Sequence, residues 1–477
     1  MLSVITKRTS FFLVPVILLT VMTGGCTMAP KYIRPDAPIP NTYHRGTSND
    51  SVELPGWKVF FADQTMQRVI ELALENNRDL RLAMLNVERT RAQYRIQRAD
   101  LLPTINAEGG ASIQHLPADS SPTGVKGITR QYTAGLGFSA FELDLFGRIR
   151  SLTDQALETY YSTEQEARAA QLTLIAETAA MYLQLVADRE QYDLTAATME
   201  NRRKSYELMR NMFESEIISD LEVSQAQTLL DEAKVRLAAA ATQVEQDANY
   251  LALLMGTSIP SDLPEVRKLA DVTQLHDIPE GLPSSLLERR PDILAAEHIL
   301  KGSNANIGAA RANFFPRISL TGAFGKMSSD YNNLWDGASK TWSFLPQITL
   351  PIFDMGRNVA LLEVSEAERD IAVARYEKTI QTAFMEVANT LIQRDHIGSQ
   401  LKAQESLVAA TERSYRYSST RHSSGISSFI NVLDAERSLF AAQSDLISTR
   451  LLREANALSL YKALGGSWDE LEHGDSK

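Results

Sequence analysis

Two long helical patterns dominate the spacing of apolar and polar positions. Residues 148–255 and 357–464 are rich in Ala, Leu, Glu, Gln and Arg, lack Pro, and contain only Gly398 and Gly425 as glycines. Such stretches predict helix. Because an unbroken helix of this size would be about 160 Å long, we expect each stretch to fold back on itself as a hairpin.

The turn of each hairpin has a signal of its own. In the first, Ser219 and Glu222 have the spacing of a capping box, which places the turn at about 215–219. In the second, Gly425 is a helix terminator, and Ser427 and Ser428 follow it as N-cap candidates. The arms of the first hairpin, 148–213 and 220–255, are unequal. One continuous helix predicted at 64–100 should therefore stack end to end with the shorter arm.

Residues preceding each hairpin alternate with a period of two. Strand pairs are predicted at about 104–143 and about 317–350, with one apolar face and one small or polar face. This pattern is typical of a membrane β-barrel wall, although a half-buried soluble hairpin shares it. Four strands cannot close a barrel, and open edges are prohibitive in lipid, so a barrel would require several chains.

The chain also contains a tandem internal repeat. Residues 79–103 align with 292–316 at a constant offset of 213, and residues 147–256 align with 356–465 at an offset of 209. Matched Pro, Gly and Arg positions indicate a tandem duplication. The predicted organisation is a signal peptide at 1–25, an extended segment at 26–63, repeat 1 at 64–256, a linker at 257–283, repeat 2 at 284–465 and a tail at 466–477.

The N-terminus predicts export. Lys7 and Arg8 precede an apolar run at 11–22, which is too short to cross a bilayer as a helix. Cys26 is the single cysteine and ends this signal. An intramolecular disulfide is therefore impossible, and a free exported thiol would be a redox liability.

The composition and the motifs argue against a nucleic-acid-binding protein, a metal-binding protein and an enzyme. A formal net charge of −11 argues against nucleic acid as a partner. HExxH, P-loop and CxxC motifs are absent, and the seven histidines and the methionines are scattered. We therefore expect no catalytic residue, no metal site and no enzyme.

Several segments resemble the TolC-like outer membrane factors, in particular the OprM/CusC-like (NodT-type) lipoprotein branch. The resemblance covers essentially the whole mature chain. Its most specific segments are 56–61, 76–80, 290–293, 308–316, 351–353, 433–440 and 461–466.

The resemblance implies a mainly α fold with a membrane β-barrel portion. Three chains would form a twelve-stranded barrel continuous with a twelve-helix periplasmic α-barrel and an equatorial belt, to which the linker contributes. It implies acylation of Cys26, with a diacylglycerol thioether and an N-acyl chain such as palmitate, although Thr23 stands where the family has Leu. Thr27, rather than Asp, implies sorting to the outer membrane. No other cofactor is implied.

The resemblance further implies a homotrimeric exit duct in the outer-membrane lipid. It would work with a periplasmic membrane-fusion adaptor and an inner-membrane RND transporter. Ile430, Asp434 and Arg437 match the family's periplasmic gate, and Leu221 is the repeat 1 counterpart of Ile430. An ordinary surface ion pair is the alternative for the charged residues. The predicted adaptor-docking tips comprise Ser215, Glu216, Ser219, Asp220, Gly425 and Ser427.

The leading hypothesis is a passive efflux duct for drugs or other toxic compounds, with a role in multidrug resistance. One alternative is a copper or silver efflux channel of the same family. Another, from a different class, is a lipid-anchored periplasmic coiled-coil structural protein without a pore, which would have no use for amphipathic strands.

Overall fold

A computed structural model describes residues 27–40, 43, 55–121, 124–272, 275, 287 and 289–466. The predicted signal peptide, Cys26 and nearly all of the predicted tail lie outside these residues. The predicted linker is described in its first part.

Long helices and four strands alternate along the described chain. In the first half these are α1 (Trp57–Phe60), α2 (Gln64–Asn76), α3 (Arg78–Ala99), β1 (Asn106–Leu116), β2 (Gly127–Leu143), α4 (Arg148–Glu214) and α5 (Asp220–Met255). In the second half they are α6 (Pro291–Ala312), β3 (Arg317–Ser328), β4 (Lys340–Thr349), α7 (Arg357–Ser423) and α8 (Ile430–Ala463). The same order of elements thus occurs twice.

The chain divides into two compact units, each built from several segments. The described parts of the first unit are 27–36, 86–164 and 295–376. The second unit combines 37–85, 165–294 and 377–466, within the described ranges.

The first unit contains one antiparallel sheet with the strand order β1-β2-β3-β4. The second strand of repeat 1 therefore pairs with the first strand of repeat 2. In the register, Leu136 lies opposite Phe324, and Phe324 lies opposite Trp342. These three side chains share one face and are 56%, 66% and 75% exposed. β1 and β4 are the two edges of this sheet. Within the described part of the single chain, its apolar face is uncovered and no strand pairs with either edge.

A β-bulge changes the predicted alternation of β2. Phe138 pairs with Gly322, but the next pair is Phe141 with Leu320, so one extra residue is inserted in β2. Ala140 has a left-handed φ of 53° and donates its N–H to Thr321 Oγ1 at 3.0 Å. The predicted alternation with a period of two is therefore wrong at Ala140, because the bulge gives the next place on the apolar face to Phe141.

The segment after Cys26 packs on α6 within the first unit. Asn304 Nδ2 donates to the Pro30 carbonyl at 2.7 Å, and Arg34 forms an ion pair with Glu297 at 3.2 Å. Ala29 lies so close to Gly308 that a Cβ at this glycine would come within 2.7 Å of the Ala29 nitrogen. Residues 29–34 are thus fixed by specific contacts.

In the second unit, the same kind of hydrogen bond, from a side chain to a backbone carbonyl, joins a short helix to the end of the hairpin in both repeats. Asn77 Nδ2 donates to the Leu254 carbonyl at 2.9 Å. At the matching place in repeat 2, Arg290 Nη1 donates to the Ala463 carbonyl at 2.7 Å. Residues 254 and 463 are related by the offset of 209, so the duplication extends to individual contacts.

The continuous helix predicted at 64–100 is interrupted. Asn77 has extended backbone angles, φ −62° and ψ 133°, and its Oδ1 accepts from the Leu80 N–H at 2.9 Å as a helix N-cap. The prediction was wrong at this point because Asn77 ends α2 and starts α3.

Among the described helices, α4 alone has an 18-residue window apolar enough to cross a membrane, and 50% of that window is buried inside the protein. Burial of this kind is equally typical of a core helix.

Candidate gate and helix tips

The repeat 1 tip follows the last residue of α4. The Ile217 N–H donates to the Met212 carbonyl at 2.9 Å, and the Glu216 N–H donates to the Phe213 carbonyl at 2.8 Å. This is a Schellman-type ending, which requires a left-handed residue after the helix. Glu216 supplies it with a φ of 56°, although glycine is the residue that adopts this conformation without strain.

The repeat 2 tip has the same backbone hydrogen bonds at positions shifted by 209. The Ile426 N–H donates to the Arg421 carbonyl at 2.9 Å, and the Gly425 N–H donates to the His422 carbonyl at 2.9 Å. Gly425 has a φ of 70°. The replacement of this glycine by Glu216 in repeat 1 therefore leaves the backbone of the turn unchanged.

The two return helices begin differently. As the sequence predicts, α5 has Ser219 at its N-cap, and Glu222 Oε2 accepts from the Ser219 N–H at 2.9 Å. Of the two residues predicted to cap α8, Ser428 does so, because its Oγ accepts from the Ile430 N–H at 3.4 Å, and Phe429 between them already has helical backbone angles. The buried Phe429 ring packs in the apolar core beside this cap.

Most of the predicted tip residues are solvent-exposed. Ser427 is partly buried, and its hydroxyl oxygen has no hydrogen-bond partner among the residues that the structure describes. The exposed ones are Ser215, Glu216, Ser219, Asp220 and Gly425.

The predicted gate residues lie on one face of α8. Ile430, Asp434 and Arg437 have helical i, i+4, i+7 spacing, and their side chains are exposed. Arg437 Nη1 lies 3.4 Å from Asp434 Oδ1, which in a single chain is a surface ion pair of little energetic weight. Leu221, on α5, is also exposed, at 65%.

The opposite face of α8 is buried against the repeat 1 hairpin. Its apolar residues form a core cluster with residues of α4 and α5. The fully buried members are Met209, Ala226, Leu229, Phe429, Val432 and Leu433. The exposed gate face is thus carried by a helix whose other face is fixed by packing.

A buried ion pair that the sequence did not reveal also fixes α8. Arg202 Nε, on α4, lies 3.0 Å from Glu436 Oε1, and the two side chains are only 6% and 12% exposed. Arg202 Nη1 also donates to the Leu229 carbonyl at 3.1 Å. Burial and the charge of Glu436 raise the pKa of the neighbouring Tyr415 hydroxyl. Glu436 lies between Asp434 and Arg437 in the sequence, so this pair anchors the gate segment directly.

In the part of the chain that the structure describes, groups of three or more His, Cys, Asp or Glu side chains arranged to hold a metal ion are absent.

Comparison with known proteins identifies the family. The family model "Outer membrane efflux protein" matches residues 69–257 and 282–466, which correspond to the two repeats. The antibiotic efflux pump outer membrane protein ArpC and the toluene efflux pump outer membrane protein TtgC, both of Pseudomonas putida, are each 48% identical over 454 residues, covering 94% of both chains.

The fold is shared with solved channels. The open-state crystal structure of the Neisseria gonorrhoeae MtrE outer membrane channel is 38% identical and superposes with a TM-score of 0.83, covering 92% of this chain and 98% of that one. These similarities confirm the resemblance to TolC-like factors. The chain belongs to the outer membrane efflux protein family.

Proposed function

We propose that this chain forms, as a homotrimer, the passive exit duct of a tripartite efflux pump. In this proposal an inner-membrane RND transporter and a periplasmic membrane-fusion adaptor deliver the solute and supply the energy. The chain itself binds no catalytic cofactor and makes or breaks no covalent bond.

The observation that carries the proposal is the four-stranded sheet. Leu136, Phe324 and Trp342 expose a continuous apolar face, which is unfavourable in water and favourable in lipid. No strand among the described residues pairs with the outer edges of β1 and β4. Pairing of β4 with β1 of the next chain satisfies both edges, and three chains supply twelve strands. A coiled-coil spacer without a pore would use neither feature.

The gate proposal follows from the exposed face of α8. In a trimer, three copies of Ile430 would form an apolar constriction and three copies of Asp434 a ring of negative charge, with Leu221 contributing from repeat 1. Like charges held close together favour cations. The buried contacts behind this face, above all Arg202 with Glu436, would keep the ring closed until the adaptor docks.

The adaptor is proposed to dock on the two hairpin tips, at Ser215, Glu216, Ser219, Asp220, Gly425 and Ser427. Their common backbone supports this, because one adaptor surface can then fit both repeats. Exposure of five of the six residues supports it too.

An acylated Cys26 is proposed as the membrane anchor, with a diacylglycerol thioether and an N-acyl chain. The fixed contacts of residues 29–34 on α6 support this role, because they leave only a short tether between the folded chain and the lipid. Two or three acyl chains hold a protein stably at a membrane.

The exported solutes are proposed to be organic and apolar, because the relatives ArpC and TtgC are named for antibiotic and toluene efflux. A deletion strain tests this with a susceptibility panel of antibiotics, dyes, toluene, copper and silver. We expect sensitivity to the organic compounds, restored by the wild-type gene. Sensitivity to copper or silver alone would identify a metal channel instead, and unchanged sensitivity to every compound would contradict an efflux role.

A further inference from the structure

Two carboxyl groups meet between α4 and α5 in the second unit. Asp247 is only 6% exposed, and its Oδ1 accepts from Gln243 Nε2 at 2.9 Å. Its Oδ2 is buried, and no group in the described part of the chain donates a hydrogen bond to it. Asp188, on α4, lies 26 residues before the end of its helix and Asp247 lies 27 residues after the start of α5, so the two antiparallel arms bring them to the same level. Asp188 Oδ2 accepts from Gln184 Nε2 at 2.7 Å. Two carboxylates are both acceptors, so they can bond to each other only through a proton.

The surroundings of Asp247 favour its protonated form. Burial, and then the interaction with Asp188, raise the pKa of Asp247 from 3.8 to about 6. Of the charged groups in the described chain, only Asp188 contributes to this shift. Arg189, the cation next to Asp188 in the sequence, is engaged elsewhere, since it donates to the Val266 carbonyl at 3.5 Å and lies 3.9 Å from Glu265.

In repeat 2, the equivalent contact between the two helices contains no charged residue. The offset of 209 places Ile397 and Asn456 at the positions of Asp188 and Asp247, and both are 4% exposed. Asn456 Nδ2 donates to the Thr390 carbonyl and to Gln393 Oε1, each at 3.0 Å. The amide of Asn456 has N–H groups that donate hydrogen bonds. The carboxyl of Asp247, at the equivalent site of repeat 1, can donate only when it is protonated.

We infer that Asp188 and Asp247 form a proton-binding site, in which one proton shared between two carboxyls joins α4 to α5. The sign of its effect follows from linkage. The folded chain keeps this proton at pH values where an unfolded aspartate has released it, so the free energy of unfolding decreases as pH rises from about 4 to about 6. Above that range the two negative charges repel and the helix contact is weaker.

Infrared spectroscopy of the full-length protein in detergent detects the proton directly. We expect a band of a buried protonated carboxyl at about pH 5 that disappears by about pH 8, and that is missing at both pH values in Asp247→Asn. The variant keeps the fold, because asparagine occupies the same position in repeat 2. Identical spectra for wild type and variant would overturn the inference.

Hydrogen exchange tests the consequence for the helix contact, with the C-terminal half of α8 as the matched control segment. After correction for intrinsic rates, amides of α5 around Asp247 should exchange at least about tenfold faster at about pH 8 than at about pH 5. Amides around Asn456 should show no such change, and Asp247→Asn should abolish it in α5.

The reciprocal variant Asn456→Asp should introduce the same pH dependence into α8, and its failure to do so would contradict the inference. Calcium tests a competing explanation. If calcium slowed exchange in α5 at about pH 8, and a chelator reversed this, the site would bind a divalent cation rather than a proton.

Discussion

At the scale of single residues, the helix tips depend on backbone conformation. Gly425 and Glu216 both adopt left-handed φ values, one without strain and one against the preference of L-residues. The sequence predicted Gly425 as a terminator because glycine is the usual residue there. It gave no sign that Glu216 adopts the same conformation, because only the surrounding hydrogen bonds impose it.

Gly425→Ala should lower the free energy of unfolding by about 1 kcal/mol, because a Cβ is strained at this φ. Space is not the cause, since apart from the two chain neighbours no heavy atom of the described residues lies within 4 Å of the position where the Cβ would be. Gly398→Ala, in the interior of α7 with equally open surroundings, should instead stabilise by about 0.5–1 kcal/mol. Thermal unfolding of both variants checks this pair, and shifts of the same sign would contradict it.

At the scale of elements, α8 is the helix whose packing positions the proposed gate residues. Its face with Phe429, Val432 and Leu433 is buried, and the Glu436 carboxylate is paired with Arg202. The bounds of α4 and α5 were predictable within a residue or two, because 148–213 and 220–255 contain neither Gly nor Pro. The ion pair was not, since its partners are 234 residues apart and each is one charged residue among many.

Arg202→Met should destabilise the hairpin contact by about 3 kcal/mol, because it leaves Glu436 buried without a partner. The neighbouring variant Arg203→Ala is the control, since its carboxylate partners are exposed and surface pairs contribute 0 to about 1 kcal/mol. Proteolysis at the tips, measured as a cleavage rate, should increase for Arg202→Met alone. Equal rates in the two variants would show that the buried pair does not hold α8.

At the scale of the whole molecule, the open sheet implies a shared barrel. Alternation in the sequence predicted four amphipathic strands, and the structure places them in one sheet with two free edges. The bulge at Ala140 was not predictable, because a period of two contains no signal for an inserted residue. Closure by three chains rests on strand number and on the cost of unpaired backbone groups in lipid.

Disulfide cross-linking tests this closure. Ser112 on β1, and Thr341, Ser343 and Gln347 on β4, belong to the small and polar face of the sheet. Combining Ser112→Cys with each β4 cysteine in turn should give covalent trimers for at least one pair, because β1 and β4 of neighbouring chains are adjacent. Variants that carry only one of the introduced cysteines should give no trimers. Monomers throughout the series would contradict the shared barrel.

The most direct test of a gated duct is the conductance of the purified protein in a planar bilayer. Wild type should conduct weakly, and Asp434→Ala combined with Arg437→Ala should conduct several-fold better, because the ring at the tips is lost. Asp231→Ala combined with Lys234→Ala removes an equally exposed i, i+3 pair on α5 and should leave conductance at the wild-type level. Absence of conductance in all three proteins would contradict the account.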